Sequence, residues 1–148
     1  MPQRPPKLFI SYAREDEEYK DQLVEHLEGL VQQGVIASWH DGQLVAGQQW
    51  NEEIVRNLTE SRVVLLLISP SFIRSDYISK VELAQAGERY ERGEVTVIPV
   101  LVRNVHAWES KPLGSRTLGS FQALPRNSKF VVEWENKDAV FAEIVAEV

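Results

Sequence analysis

The chain has no cysteine anywhere in its 148 residues. Disulfides, thiolate catalysis and Cys-ligated zinc are thereby excluded, and the absence fits a reducing compartment, so the cytoplasm is the expected location. Long apolar runs are missing too. None approaches the roughly 18–20 residues that span a bilayer, so no membrane segment is expected, and the opening Met1-Pro2-Gln3-Arg4-Pro5-Pro6 lacks the apolar stretch of a secretory signal. Positive charge is in short supply: 16 Lys and Arg against 22 Asp and Glu leave a net charge of −6. No Lys/Arg cluster offsets that charge locally, which argues against a nucleic-acid partner. His26, His40 and His106 have no metal-ligand spacing, so no metal is expected, and His40 beside Asp41 reads as a loop pair.

Several nucleotide-handling signatures are absent as well. No Gly-x-Gly-x-x-Gly follows a strand, which argues against a dinucleotide-binding dehydrogenase, and no Gly-Lys-Ser/Thr loop exists for P-loop phosphoryl transfer. A receiver domain of similar architecture needs acids clustered at its strand ends to hold magnesium. Here the first strand ends in Ser11-Tyr12-Ala13 and the third in Ser69-Pro70.

What is present is the balance of one folded domain, with 43% apolar and 26% charged residues. Residues 1–6, with prolines at 2, 5 and 6, read as an extended leader, and 7–148 as the domain. Lys7 to Tyr12 is a short apolar run with strand character. Acids at 15–18 open a helix, where the helix dipole favours them, and Tyr19, Leu23, Leu27, Leu30 and Val31 continue it to Gly34. Val35 to Trp39 reads as the second strand, His40 to Gln48 as a loop, and Trp50, Ile54 and Leu58 as one face of a second helix. Arg62 to Ser69 is the clearest buried strand, closed by Pro70. Ser75-Asp76 is expected to cap a third helix that runs to about Arg92 and stops at Gly93. Val95 to Val102 is a fourth strand in which Pro99 predicts a bulge or an end. Residues 104–128 read as loop, Lys129 to Val132 as a short edge strand, and Phe141, Ile144 and Val148 as a final helix.

Strand and helix alternate, which predicts an α/β, flavodoxin-like three-layer fold. Its five-stranded parallel sheet, in the order 2-1-3-4-5, has helices on both faces. Ligands in such sheets sit outside the carboxyl ends of the strands. That rule selects segments 11–15, 40–48 and 69–77 and the start of the third helix.

The motifs at those ends resemble a known family. Phe9-Ile10-Ser11-Tyr12 followed by acids is similar to the first conserved box of TIR (Toll/interleukin-1 receptor) domains. Trp39-His40-Asp41 through Ala46-Gly47 and Trp50 resembles the second box and its BB loop. Ser69-Pro70-Ser71-Phe72, then Ser75-Asp76-Tyr77 and Glu82, resembles the segment that carries the family's glutamate. Val97-Ile98-Pro99-Val100 with Trp108, Leu124-Pro125 and Trp134 is similar to bacterial members in particular. The resemblance covers about residues 7–148.

The resemblance implies one of two functions. Many bacterial and plant members, and one animal axonal type, cleave NAD+ at the nicotinamide–ribose bond; NAD+ is then a substrate and no cofactor is required. Animal receptor and adaptor members instead bind other TIR domains without established catalysis. On the first reading Glu82 is the catalytic carboxylate, with Tyr12, Arg14 and Tyr77 as substrate contacts: aromatic rings for stacking and a guanidinium for phosphate. Asp41, Gly47 and Trp50 belong to the BB loop, through which a neighbouring TIR domain completes the site. The chain then acts as a self-associating glycohydrolase effector of the kind found in bacterial antiviral defence, and a fused sensor or oligomerising domain is expected elsewhere in the protein. Two departures stand out: Ile78 occupies the place four before the glutamate where many NAD-cleaving relatives have Trp, and Ala46 replaces the usual loop proline. A third reading is a nucleoside-processing enzyme that uses a carboxylate at an N-glycosidic bond.

Overall fold

The computed structural model describes residues 6–36, 38–41, 56, 58–75 and 78–148. Strands β1 (Lys7–Ser11), β2 (Ser38–Asp41), β3 (Val63–Ile68) and β4 (Thr96–Leu101) form a parallel sheet in the order β2-β1-β3-β4. Helices α1 (Glu17–Gln32), α2 (Pro70–Arg74), α3 (Ala84–Glu91) and α4 (Lys137–Glu147) surround it, and residues 58–60 are also helical.

Alternation along the strands divides the core. Leu8, Ile10 and Tyr12 face one way with Leu65 and Leu67, against Leu23 and Leu27 of α1 and Phe141 and Ile144 of α4. Phe9 and Ala13 face the other way with Val64, Leu66 and Ile68, against Phe72, Ile78, Leu83 and Ala86. Both faces of β1 and β3 are therefore buried, as continuous apolar runs require. Each fully buried Leu, Ile or Phe stabilises the fold by about 1.5–3 kcal/mol relative to exposure.

Several expectations need correction. The second strand starts at Ser38, not Val35, because Gly34 (φ +76°) and Val35 close α1 in a Schellman cap. The Val35 amide donates to Leu30 O at 2.9 Å and the Gly34 amide to Val31 O at 3.1 Å. His40 and Asp41 consequently lie on β2, opposite Phe9 and Ile10, and not in the following loop.

Pro99 makes neither a bulge nor a strand end; it pairs in register with Leu66. Its carbonyl accepts from the Leu124 amide at 2.8 Å, so the position of its missing N–H faces the outer edge and the β3 ladder loses nothing. Among the described residues, that outer edge holds a single parallel bridge, Val100↔Leu124, in place of a fifth strand. The predicted edge strand at 129–132 is instead a loop entering a 3-10 turn, Val131–Glu133. The stretch at 104–128 is more ordered than a loop, with 3-10 turns at Trp108–Ser110 and Leu118–Ser120 around a hairpin of β5 (Pro112–Leu113) and β6 (Arg116–Thr117).

That hairpin packs on α3 through two glycines. A Cβ at Gly87 would lie 2.6 Å from the Gly114 nitrogen, and Gly114 itself turns at φ +61°. Both obstacles are backbone, so the elements must separate to admit a methyl group. Gly87→Ala is expected to destabilise the fold by about 1–3 kcal/mol in urea denaturation, the range for overpacking.

Candidate functional site

After β3 the chain turns on Ser69, whose hydroxyl accepts from the Phe72 amide at 3.1 Å and caps α2. Ser75 then caps the next segment by accepting from the Ile78 amide at 3.2 Å. This matches the expected helix start, although α2 intervenes before it. The segment opens as a π-helix, Ile78–Leu83, before becoming α3. Wide i→i+5 turns of this kind are rare and gather at functional sites.

Glu82 sits in that turn and is only 2% exposed. Its flanks Ile78, Leu83 and Ala86 pack on the Phe9/Ala13 face of the sheet. Seven residues later, Arg89 anchors the far end of the helix, donating at 2.6 Å to both Leu58 O and Ser61 O, just before β3 begins. At 1.5 Å per residue Glu82 lies roughly 10 Å from that anchor, on the carboxyl side of a β3 some 17 Å long. A carboxylate is thus held in a nearly dry layer toward the strand ends, where open parallel sheets bind ligands.

The other site candidates divide. Arg14 opens the 3-10 turn Arg14–Asp16 after β1; it is exposed and makes no ion pair among the described residues. Tyr12 faces the opposite layer from Glu82: it is 3% exposed among the α1 and α4 side chains, with the Lys20 ammonium 5.4 Å from its ring centroid. The geometry therefore does not bring Tyr12 and Glu82 together. Asp41 is the last residue of β2. Tyr77, Gly47 and Trp50 lie outside the described residues. Trp108 is buried in the core, and Trp134 packs at its margin with its indole N–H donating to Lys129 O at 3.0 Å.

Sequence reasoning missed a buried polar knot at the same edge. Asp16, fully buried, accepts from Arg103 Nε at 2.6 Å and from the Ser69 hydroxyl, while Arg103 also donates to Ser71 Oγ at 2.8 Å. The exits of β1, β3 and β4 are joined by these bonds. Ser71 further helps to hold the exposed Glu15 carboxyl below the usual carboxylate range by hydrogen bonding, with Arg74 assisting. In the sequence Asp16 is one of several acids that the helix dipole favours. No local pattern links it to a residue 87 positions away.

A parallel sheet in this order, with a buried carboxylate on the helical segment after its third strand, defines a TIR-like α/β domain. The chain belongs to the TIR domain family, whose model matches residues 8–135. It is 36% identical over 143 residues to the uncharacterized protein y4lF of Sinorhizobium fredii, covering 97% of this chain but 42% of that protein. The chain therefore spans less than half of that relative. Among solved structures, the TIR domains of the activated Roq1 resistosome, which directly recognizes the pathogen effector XopQ, share the fold. The TM-score is 0.54 at 22% identity, covering 96% of this chain and 82% of that one. Among the described residues no helix is long and apolar enough to cross a membrane.

Proposed function

We propose that this TIR domain is a cytoplasmic NAD+ glycohydrolase, switched on by self-association, in which Glu82 is the catalytic carboxylate. The supporting observation is the burial of Glu82, 2% exposed within a π turn toward the carboxyl edge of the sheet. When the nicotinamide–ribose bond breaks, its electron pair leaves with the ring, which departs neutral and needs no proton. Positive charge grows on the ribose C1′ and ring oxygen. A carboxylate screened from water stabilises that charge far more than an exposed one does. Water then adds to C1′, giving ADP-ribose and releasing a proton; an internal nucleophile in its place gives a cyclic product. Arg14 is suited to a phosphate oxygen and Tyr77 to stacking on a ring. Asp41, at the end of β2, together with Gly47 and Trp50 further along the chain, is the proposed contact with a second TIR domain.

Burial of Glu82 also bears on assembly. At 2% exposure the carboxylate is shut away from a ribose, so the site must open before turnover. Docking of a second copy is the proposed trigger. The same observation favours the second reading, a pure TIR–TIR interaction module, if the site never opens. Incubating NAD+ with the protein across a concentration series, with and without crowding agent, separates the two. Nicotinamide release that rises more steeply than protein concentration is expected for the hydrolase. Loss of no NAD+ at any concentration would leave only the docking role.

A further inference from the structure

We infer that Ser11 is a substrate-positioning residue of the Glu82 site, its hydroxyl reserved for a polar group of the ligand; the inference rests on the glycohydrolase reading. Ser11 ends β1, fully buried, and its Oγ has no hydrogen-bond partner among the described residues. Strand alternation fixes where it points. Phe9 before it and Ala13 after it belong to the layer that packs on Ile78, Leu83 and Ala86, whereas Ile10 and Tyr12 belong to the opposite layer. Ser11 is therefore on the Glu82 side of the sheet, at the carboxyl end of the strand, in register with Leu66 of β3.

A buried hydroxyl without a partner is destabilising, and alanine or valine would fill the same place without that penalty. The serines that follow β3 are satisfied by contrast: Ser69, Ser71 and Ser75 each make a hydrogen bond. Ser11 alone on β1 presents one donor and two acceptor lone pairs to the layer that holds the carboxylate. The ligand chemistry that fits is a ribose diol or a carboxamide, each able to donate and accept at one point. Ser11 neither transfers a proton nor bears charge; it holds the sugar end of the ligand against the carboxylate.

The test separates this role from the reaction itself. NAD+ binding is measured calorimetrically in a Glu82→Gln background, where turnover does not interfere, with and without Ser11→Ala, and thermal midpoints are recorded for both. The expected result is about tenfold weaker NAD+ binding, the loss of one neutral hydrogen bond, alongside an unchanged or raised midpoint. Opposite signs for affinity and stability are what a purely structural serine does not produce. Ser11→Cys, nearly isosteric with a weak donor, should fall between the two and guards against a packing defect in the alanine variant. Equal NAD+ affinity in the Ser11→Ala protein overturns the inference while leaving the hydrolase intact. Failure of the serine-containing protein to bind NAD+, together with no cleavage by the unaltered chain, overturns the functional reading and this inference with it.

Discussion

Glu82→Gln is expected to reduce nicotinamide release by a factor on the order of 100–1,000, the loss found when one charge-stabilising group is removed from a preorganised site. Glutamine preserves the size of the side chain while exchanging one charged acceptor oxygen for a neutral amide donor, so the loss reports chiefly the missing charge. Bound NAD+ carries its positive charge on the nicotinamide nitrogen, and cleavage moves that charge onto the ribose beside the carboxylate, so kcat should fall by more than KM rises. The thermal midpoint of the same variant is recorded beside its activity, because Glu82 is only 2% exposed and a loss of fold must be told from a loss of chemistry. Alanine is the poorer probe, since the cavity it leaves beneath the π turn confounds activity with stability. Turnover of the glutamine variant within twofold of the parent would remove Glu82 from the chemistry.

How much of this was legible in advance varies with the range of the interaction that decides it. β1, α1, β3 and α4 are specified by local periodicity and termini, and Gly34 ends α1 where expected. The start of β2 was misread because Val35, an apolar residue with strand propensity, is taken up by the cap of the preceding helix. Pro99 was misread for a different reason. Its ring forbids a donor, but whether that matters depends on which side of β4 its carbonyl points, and only the sheet settles this. The position beside β4 is taken by the Val100↔Leu124 bridge, and 131–133 form a 3-10 turn there instead of a strand.

The cap at Ser75 was legible from local sequence, whereas Glu82 stands out only through the motif resemblance, since spacing alone makes it an ordinary helix glutamate. The π turn that carries Glu82 has no distinctive composition; a helical pattern over 78–91 looks the same with one wide turn or none. Tyr12 shows the limit of motif reading. Placing an aromatic at a strand end says nothing about which face it takes, and alternation from Leu8 sends it to the α1 layer, away from the carboxylate. The same alternation sends Ser11 toward it.

Arg103→Ala is expected to destabilise the domain by about 4–5 kcal/mol, more than Asp16→Ala at about 3 kcal/mol, even though each removes the same ion pair. The asymmetry follows from depth. Asp16 is fully buried and the Arg103 side chain is 33% exposed at a separation of 2.6 Å. Removing Arg103 strands a carboxylate in the interior with, among the described residues, only the Ser69 hydroxyl to serve it, whereas removing Asp16 leaves a guanidinium that water partly reaches and Ser71 still engages. Against a total of roughly 5–15 kcal/mol for a domain of this kind, the first change removes about a quarter or more of the stability. It also unties the exits of β1, β3 and β4 that frame the Glu82 layer. Urea denaturation of both variants and of the double alanine variant measures the three values. The double variant should resemble Asp16→Ala, since once the carboxylate is gone the guanidinium has little left to offset. If Asp16→Ala proves the more damaging, desolvation of the carboxylate is not what governs the pair, and the knot acts through the Ser69 cap of α2.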